Sequence, residues 1–444
     1  MIKELPQDWK WVKLGEVCKL KNGFAFKSTD YINEGIPVIR ISDIKSGSVK
    51  PDKSVRVSSK KDYEEYIVTE NEILVAMSGA TTGKFGIFRS KEKAYQNQRV
   101  GKFQIHNKMN LDNEFLLYQL HALKRQIEKD AYGGAQPNIS SAKIEAMEIL
   151  LPPLPTQQAI VAKIEELFSE LNKGIEQLKT AQQQLKTYRQ AVLKWAFEGK
   201  LTSLNHDSFD LVDEYDLNTN NQGNPDNHTN HRSDKSALPK GWKWVNLGEY
   251  IVNISSGKSY RCDERPPKID EIGIVKVSSV TWGFFDEEES KTCFSKDQLN
   301  EKYLIKEGDF LFSRANTIEL IGSCVIVHKV QKTLMLSDKI LRFTFEENIF
   351  KKYVLYYLRS KKGRKQIELL STGNQDSMRN IGQEKIRQIE FPYCKIEEQH
   401  QIVQAIESRL SVADKLEESI AQSLQQSEAL RQSILKKAFE GRLV

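Results

Sequence analysis

Cross-linking residues are scarce in this sequence. Its 444 residues include five cysteines, Cys18, Cys262, Cys293, Cys324 and Cys394, odd in number and far apart. No two form a CxxC pair, which argues against a disulfide framework or a structural zinc site and fits a reducing cytoplasm. Long apolar runs are also missing: nothing approaches the ~20 residues of a membrane span. The opening stretch through Val17 lacks the apolar core of a secretory signal. Charge of one sign is not in large excess. Lys+Arg number 66 against 60 Asp+Glu, and the net +6 does not by itself predict nucleic acid. With 39% hydrophobic residues, 28% charged residues and a mean hydropathy of −0.54, the composition is that of a soluble protein with real cores. At roughly 150 residues per domain, length alone suggests about three domains.

Catalytic signatures are lacking as well. Ser78-Gly79-Ala80-Thr81-Thr82-Gly83-Lys84-Phe85 follows a β-rich run and mimics a phosphate-binding loop. A P-loop, however, needs four residues between its glycines, and a Ser or Thr after the lysine to meet magnesium. Here three residues intervene and Phe85 follows Lys84. A basic, hydroxyl-rich loop at a strand end remains, suited to phosphates or bases. There is no Asn/Asp-Pro-Pro-Tyr/Phe motif, no glycine-rich dinucleotide fingerprint and no HExxH. Pro51-Asp52 is not followed by the Asp/Glu-x-Lys of a nuclease. Nothing argues for an active site, and none of these residues forms a metal set.

What is present is a duplication, and a repeat has to be sought first because it decides the fold. Leu5-Pro6-Gln7-Asp8-Trp9-Lys10-Trp11-Val12-Lys13-Leu14-Gly15-Glu16 returns as Leu238-Pro239-Lys240-Gly241-Trp242-Lys243-Trp244-Val245-Asn246-Leu247-Gly248-Glu249. Ala196-Phe197-Glu198-Gly199-Lys200-Leu201 returns as Ala438-Phe439-Glu440-Gly441-Arg442-Leu443. Between these anchors lie weaker echoes, such as Val38 to Ser42 with Ile274 to Ser278, and Gln157 with Gln399. The ends of the copies agree while the middles keep only hydrophobic pattern. A structural pseudo-dimer would explain this; so would a constant frame around two diverged inserts.

The first part of each copy reads as mixed β/α. β-rich runs (Ile36 to Ile44, Glu72 to Met77, Phe85 to Phe88, Ile272 to Val280, Ser323 to Val327) are bounded by turn residues. One amphipathic helix is expected in each, near 113–128 and 350–369. The second part is a long helix. Ile160, Ile164, Leu167, Leu171, Gly174, Leu178, Ala181, Leu185, Tyr188, Val192 and Trp195 step 4 and 3 in an unbroken heptad seam. Thr156 is the expected N-cap and Gly199 the expected stop. About 40 helical residues would make a rod of roughly 60 Å. The second copy offers Ile402, Ile406, Leu410, Ala413, Leu416, Ile420, Leu424, Leu430 and Ile434, with Ser423 and Ser427 inside the seam. One such helix cannot bury its seam, so an antiparallel pair is expected, with each rod packing on its own globular part, or a pair between molecules, as the alternatives. The fold class is therefore α+β, two tandem mixed β/α domains joined by two long helices in an antiparallel coiled coil, with a pseudo-twofold internal repeat. The boundaries are 1–154, 155–201, 202–237, 238–395 and 396–444. Segment 202–237 has seven acidic and two basic residues and seven asparagines, the composition of a flexible linker. Its His206, His228 and His231 read as solvated spacers. Removing the linker leaves folded copies more basic than the overall +6.

Two β/α units, each followed by a long helix ending in Ala-Phe-Glu-Gly-Lys/Arg-Leu, resemble the specificity subunit of type I restriction-modification systems. The residues that carry the resemblance are the Trp9 and Trp242 openings, Ser78 to Lys84, and Ser313-Arg314-Ala315-Asn316. Leu151-Pro152-Pro153-Leu154-Pro155 with Gln157 to Val161, and Glu398 to Val403, complete the set, which spans nearly the whole chain except the linker. The resemblance implies a non-catalytic subunit with two target-recognition domains, each reading one half of a bipartite, asymmetric site on double-stranded DNA. It implies docking to two methyltransferase subunits, joined by motor-nuclease restriction subunits, in the cytoplasm with no membrane. S-adenosylmethionine, ATP and magnesium would belong to those partners. If both domains meet one face of B-form DNA, half-site centres lie about one turn, ~10 bp, apart. A modification-only system is the alternative within this class. A coiled-coil scaffold binding protein or glycan is the alternative outside it.

Base edges are read by Arg, Lys, Asn, Gln, Ser and Thr. In the first domain the expected DNA-binding residues are Arg40, Ser78, Thr81, Thr82, Lys84, Gln98, Arg99, Gln136 and Asn138. In the second they are Lys258, Arg261, Lys276, Arg314, Asn316, Asp338, Lys339, Gln375, Arg379 and Asn380, with Arg265 suited to phosphates. Trp9, Trp11, Trp242 and Trp244 sit in the shared frame, so packing is favoured over base stacking. Shared surfaces should bind identical partners. This makes Trp195, Phe197, Glu198, Lys200, Phe439, Glu440 and Arg442 the partner-binding candidates, against a role in closing the seam.

Overall fold

The computed structural model describes residues 8–45, 47–52, 54–131, 137–203, 238–281 and 283–444. Two compact units result: Met1–Lys179 with Ala421–Val444, and Thr180–Ile420. From residue 204 the expected linker, with its three histidines, lies outside the described residues. No helix among those described is long and apolar enough to cross a membrane.

The first unit is built on a six-stranded sheet in the order Cys18–Asn22, Val100–Ile105, Ile73–Ala76, Phe85–Phe88, Gly47–Val49 and Ile44–Lys45. Its central strands are continuous apolar runs because both faces are covered, as Ile73 to Ala76 and Phe85 to Phe88 show. A four-stranded sheet pairs Ile36–Ile39 with Ala94–Gln96 in parallel. The second unit repeats both patterns. Ile251–Ser256, Ile340–Phe345, Phe310–Ser313 and Cys324–Ile326 form the equivalent antiparallel sheet, and Ile272–Val275 runs parallel to Thr333–Met335. In each unit the Trp-Val strand of the shared opening, Lys10–Lys13 or Lys243–Asn246, pairs antiparallel with the strand that leads into a long helix.

The expected helix at 113–128 is Asn113–Ala131, with Phe115, Leu116 and Leu120 buried. The helix expected at 350–369 is instead two, Lys351–Arg359 and Lys361–Leu370. Ser360 interrupts them with extended backbone (ψ 158°), its hydroxyl accepting from the Gly363 N–H at 3.2 Å. The break is too tight for any other residue at Gly363, since a Cβ there would lie 2.2 Å from the Tyr357 carbonyl.

The long helices are Leu154–Phe197 and Ile396–Phe439, each 44 residues. The first starts two residues before the expected cap at Thr156. The first stops where expected, ahead of the left-handed Gly199 (φ 72°), and the second ends ahead of the matching Gly441 (φ 67°). A buried glutamine anchors each start. Gln157 donates to the Asn110 and Pro152 carbonyls and accepts the Asp112 N–H, all at 2.8 Å. Gln399 likewise donates to the Cys394 and Asn348 carbonyls and accepts the Phe350 N–H.

Within the first unit Ile160 and Ile164 share a core with Ile434, Ala438 and Phe439, and Arg431 lies 4.6 Å over the Phe168 ring and bonds Asn172. One helix ascends in number as the other descends, so the pair is antiparallel. Within the second unit Val192, Ala196 and Phe197 pack with Ile402 and Ile406, and Arg189 bridges Asp414 and Glu417 at 2.6 and 2.8 Å. The second helix departs from the expected seam at Leu416 and Leu430, which are 46% and 51% exposed. Half-buried Ser423 and Ser427 hold seam positions instead, the Ser427 hydroxyl donating to the Ser423 carbonyl at 2.8 Å.

Candidate nucleic-acid interface

A single backbone arrangement, present in both units, positions most of the candidate residues. In the first unit the strand Ile73–Ala76 runs on into Met77. The Met77 N–H donates to the Arg99 carbonyl and its own carbonyl accepts the Ile139 N–H, both at 3.0 Å. One residue earlier Ala76 exchanges bonds with Lys84 and Gly83. In the second unit Arg314 donates to the Lys339 carbonyl at 3.0 Å and accepts from Ile381 at 2.9 Å, while Ser313 exchanges bonds with Ser323 and Gly322. Gly83 and Gly322 have φ of 79° and 75°, so both loops turn back at a left-handed residue. These bonds pair Met77 with Arg314, Arg99 with Lys339, Gln98 with Asp338, Lys84 with Ser323 and Asn138 with Asn380. The frame is the same, and at most of these points the side chains differ.

Two glycines that sequence reasoning missed complete the frame. The chain after Asn22 presses so close to the next segment that a Cβ on Gly23 would lie 2.1 Å from the Gln96 carbonyl. A Cβ on Gly257 would lie 1.7 Å from that of Leu336. Their recurrence at the same point in both copies was the available signal.

In the first unit, Ser78, Gln98, Arg99 and Asn138 come together on an open cleft of about 780 Å³, joined by Asn22 and Ser141. Ser78 bridges to Asn138 across the backbone, and the Ser141 hydroxyl bonds the Asn22 amide oxygen at 3.1 Å. Gln98, Arg99, Asn138 and Lys84 are exposed. Thr82 is buried, its hydroxyl donating to the Gly79 carbonyl at 2.7 Å, so it braces the loop from inside. Thr81 is half-buried with its hydroxyl oxygen enclosed. Arg40 does not line the cleft, and its backbone N–H and guanidinium both face Asp43, although its neighbour Ile39 accepts the Asn97 N–H beside Gln98. Gln136, with Gly133, Gly134 and Ala135, lies outside the described residues.

In the second unit a small sheet of Ala315–Asn316, Met378–Asn380 and Thr372–Gln375 carries four candidates, with Arg314 just before its first strand. Ala315 pairs with Asn380 and Asn316 with Arg379; Gln375 lies opposite Met378. Arg314 Nε donates to Asn380 Oδ1 at 3.4 Å, so these two side chains present one combined donor–acceptor surface. Arg379 is differently occupied. Its guanidinium donates to the Ser371 and Gly373 carbonyls and the Ser371 hydroxyl, all at 2.9 Å, and so holds the hairpin from within. Asp338 and Lys339 are exposed on the turn that feeds Arg314.

The basic stretch is only partly available. Lys258 and Arg261 are exposed, with Lys258 5.7 Å over the Tyr260 ring. Arg265 is paired with Glu271 and Asp263, and this pairing holds the Glu271 carboxyl down at about 2. Lys276 donates to the Glu264 carbonyl at 3.0 Å.

The aromatic residues among the partner-binding candidates sit largely inside. Phe197 packs edge-on against Tyr353 and Tyr357, and Phe439 against Phe115, which makes both core residues. Trp195 is half-buried against the same core as Phe197. Glu198 pairs with Lys200, and Glu440 with Arg442. Among the tryptophans, Trp242 is buried and donates to Glu398 at 2.9 Å, whereas Trp11 is 50% exposed. Among the described residues no group of three or more His, Cys, Asp or Glu gathers as a metal set.

Known proteins resemble the chain in sequence and in fold. A family model described as the type I restriction modification DNA specificity domain matches residues 6–180 and again 239–426. The type I restriction enzyme EcoBI specificity subunit of Escherichia coli is 25% identical over 443 residues, covering 99% of this chain and 87% of its own length. The MjaVIII specificity subunit of Methanocaldococcus jannaschii is 26% identical over 208 residues, 45% of this chain and 48% of that one. Among solved structures, a chain from a type I R-M system studied for complex assembly and conformational transition superposes with a TM-score of 0.72 at 18% identity, covering 99% of this chain and all of that one. The HsdS subunit from Thermoanaerobacter tengcongensis gives 0.56 at 18% identity, over 99% and 98% of the two chains.

Proposed function

The chain belongs to the type I restriction modification DNA specificity family, and we infer from this that it is the non-catalytic subunit that gives such a complex its DNA sequence specificity. The observation that carries the reading is the repeated crossing. One set of backbone bonds holds Met77, Arg99 and Asn138 in one unit and Arg314, Lys339 and Asn380 in the other. A shared frame with different side chains suits two readers of different half-sites. Rigid backbone supplies position, and exposed Arg, Lys, Asn and Gln supply the donors and acceptors that distinguish base edges.

Segments 1–154 and 238–395 serve as the two recognition domains, and 155–201 and 396–444 as the spacer helices between them, with 202–237 as linker. Direct contacts come from Lys84, Gln98, Arg99 and Asn138 on one side and Arg314, Asn316, Asp338, Lys339, Gln375 and Asn380 on the other, while Ser78, its hydroxyl enclosed like that of Thr81, bridges to Asn138 through its backbone. Lys258 and Arg261 meet phosphates. Thr82 and Arg379 hold the reading loops in place. Two methyltransferase subunits dock on the shared frame, where the Glu198–Lys200 and Glu440–Arg442 ion pairs and the half-buried Trp195 reach the surface. Restriction subunits join that core. S-adenosylmethionine, ATP and magnesium act in those partners.

Base-resolution methylome mapping in cells with and without this chain tests the reading. A split, asymmetric motif that vanishes with the chain is expected. A single continuous palindrome, or an unchanged methylome, overturns it.

A further inference from the structure

The two units present one pair of side chains at the same place with opposite chemistry. The turn 97–100 closes with the Val100 N–H on the Asn97 carbonyl at 2.9 Å. The turn 337–340 closes with Ile340 on Ser337 at 3.3 Å. Each turn then hands a carbonyl, Arg99 or Lys339, to the crossing. The side chains at the tips are Gln98-Arg99 in one unit and Asp338-Lys339 in the other, all exposed. No hydrogen bond or ion pair within the described residues engages any of the four side chains. The cation is kept in both copies; the residue before it changes from an amide to a carboxylate.

A carboxylate on a surface that meets a polyanion is repelled unless it faces a hydrogen-bond donor. Asp338 sits among cations and amides: Lys339 beside it, Lys258 following the Gly257 whose N–H bonds Ser337, and the Arg314–Asn380 pair on the neighbouring strand. It is nonetheless left without an ion-pair partner. In a major groove the donors on offer are exocyclic amino groups, N4 of cytosine and N6 of adenine; guanine and thymine present acceptors there. A carboxylate accepts from such a group, whereas a glutamine both gives and takes and matches the paired N6 and N7 of adenine.

We propose that the position shared by Gln98 and Asp338 is a specificity-determining position, with Asp338 accepting a hydrogen bond from an exocyclic amino group in its half-site and Gln98 reading an adenine in the other. The proposal rests on the DNA-specificity reading above and adds the chemistry of one base in each half. The neighbouring Arg99 and Lys339 supply the charge that makes the approach to DNA favourable, so the readers need not.

The test is selection from a duplex library randomised through both half-sites. The full chain is assembled with its methyltransferase subunits and compared as wild type, Asp338→Asn, Asp338→Ala and Gln98→Ala. Asp338→Ala should lower discrimination at one position of one half-site by roughly tenfold and leave the other half unchanged. The wild-type base pair at the Asp338-dependent position, G·C or A·T, identifies the amino group as that of cytosine or of adenine. Where it is cytosine, Asp338→Asn should shift the position toward A·T, and where it is adenine, Asp338→Asn should keep it; Gln98→Ala should flatten an adenine in the opposite half. Asp338→Ala that leaves the preference at every position unchanged overturns the proposal; if it also binds every sequence more tightly, the carboxylate is merely repulsive. If wild type selects no bipartite sequence at all, it is the specificity reading itself that fails.

Discussion

The Gln157 side chain accepts the backbone N–H of Asp112 at 2.8 Å from the first turn of a 44-residue helix. Asp112 in turn accepts from the Phe115 N–H at 2.9 Å, capping the helix Asn113–Ala131. One fully buried amide therefore ties the start of the long helix to the start of the recognition domain's own helix, and Gln399 repeats the arrangement in the second unit.

Gln157→Leu should be costly, because it strands the buried Pro152 carbonyl and the partly buried Asp112 N–H and Asn110 carbonyl. A buried unsatisfied group costs about 1–3 kcal/mol, so a loss of roughly 2–4 kcal/mol is expected for the site. Urea denaturation of the full chain measures it, and Gln399→Leu should match it within about 1 kcal/mol, as expected of equivalent sites. A negligible change in either variant would remove the clamp role.

Phe439→Ala should destabilise the first unit by roughly 3–5 kcal/mol, since Phe439 is 8% exposed and packs edge-on against Phe115. Arg189→Ala, by contrast, removes ion pairs to Asp414 and Glu417 that are partly open to water and screened by salt. At most about 1 kcal/mol is expected there. Comparing the two by thermal unfolding separates core packing from surface charge.

Arg314→Ala should weaken specific DNA binding by ~1–3 kcal/mol and relax one position of the second half-site, as loss of a paired base contact would. Arg379→Ala should broaden preference at several positions of that same half, because its guanidinium holds the hairpin that carries Gln375 and Asn380. Competition assays with single-base variants distinguish the two patterns; identical patterns would deny Arg379 its bracing role.

Acid should loosen the first unit selectively. Burial beside Phe85, with Lys124 and Arg431 nearby, pushes the His121 imidazole down to about 4 from an ordinary 6.5. The folded state keeps it neutral, so its contribution is complete above pH ~6.5. It is lost progressively as pH falls toward about 4, where the folded form also protonates, by about 1–3 kcal/mol in total. His121→Gln should flatten the pH dependence of stability in this window, measured by urea denaturation across it; an unaltered slope would assign the acid sensitivity elsewhere.

Much of this was legible along the chain. The Trp9 and Trp242 repeat, the heptad steps from Ile160 to Trp195, and the glycine stops at Gly199 and Gly441 fixed a duplicated frame with long helices, because periodicity and turn chemistry are local properties. The candidate loops were visible too, since Ser78 to Lys84 and Thr372 to Asn380 are polar runs between apolar ones. The tertiary structure decided which of those polar groups are spent internally. Thr82 and Arg379 look like DNA contacts in sequence, yet their hydrogen bonds go inward to their own turns, Thr82 to the Gly79 carbonyl and Arg379 to Ser371 and Gly373. Phe197 and Phe439 look like exposed docking residues, yet each closes a core. It also placed Gln98 at the backbone position of Asp338, and Met77 at that of Arg314, because equivalence across the diverged middles lies in backbone hydrogen bonds, which leave little trace in side-chain identity. Sequence determined the two-copy plan because hydrophobic period and capping act over a few residues. Only the tertiary structure decided which side chains face outward, because burial and hydrogen-bond satisfaction are settled by segments far apart in the chain.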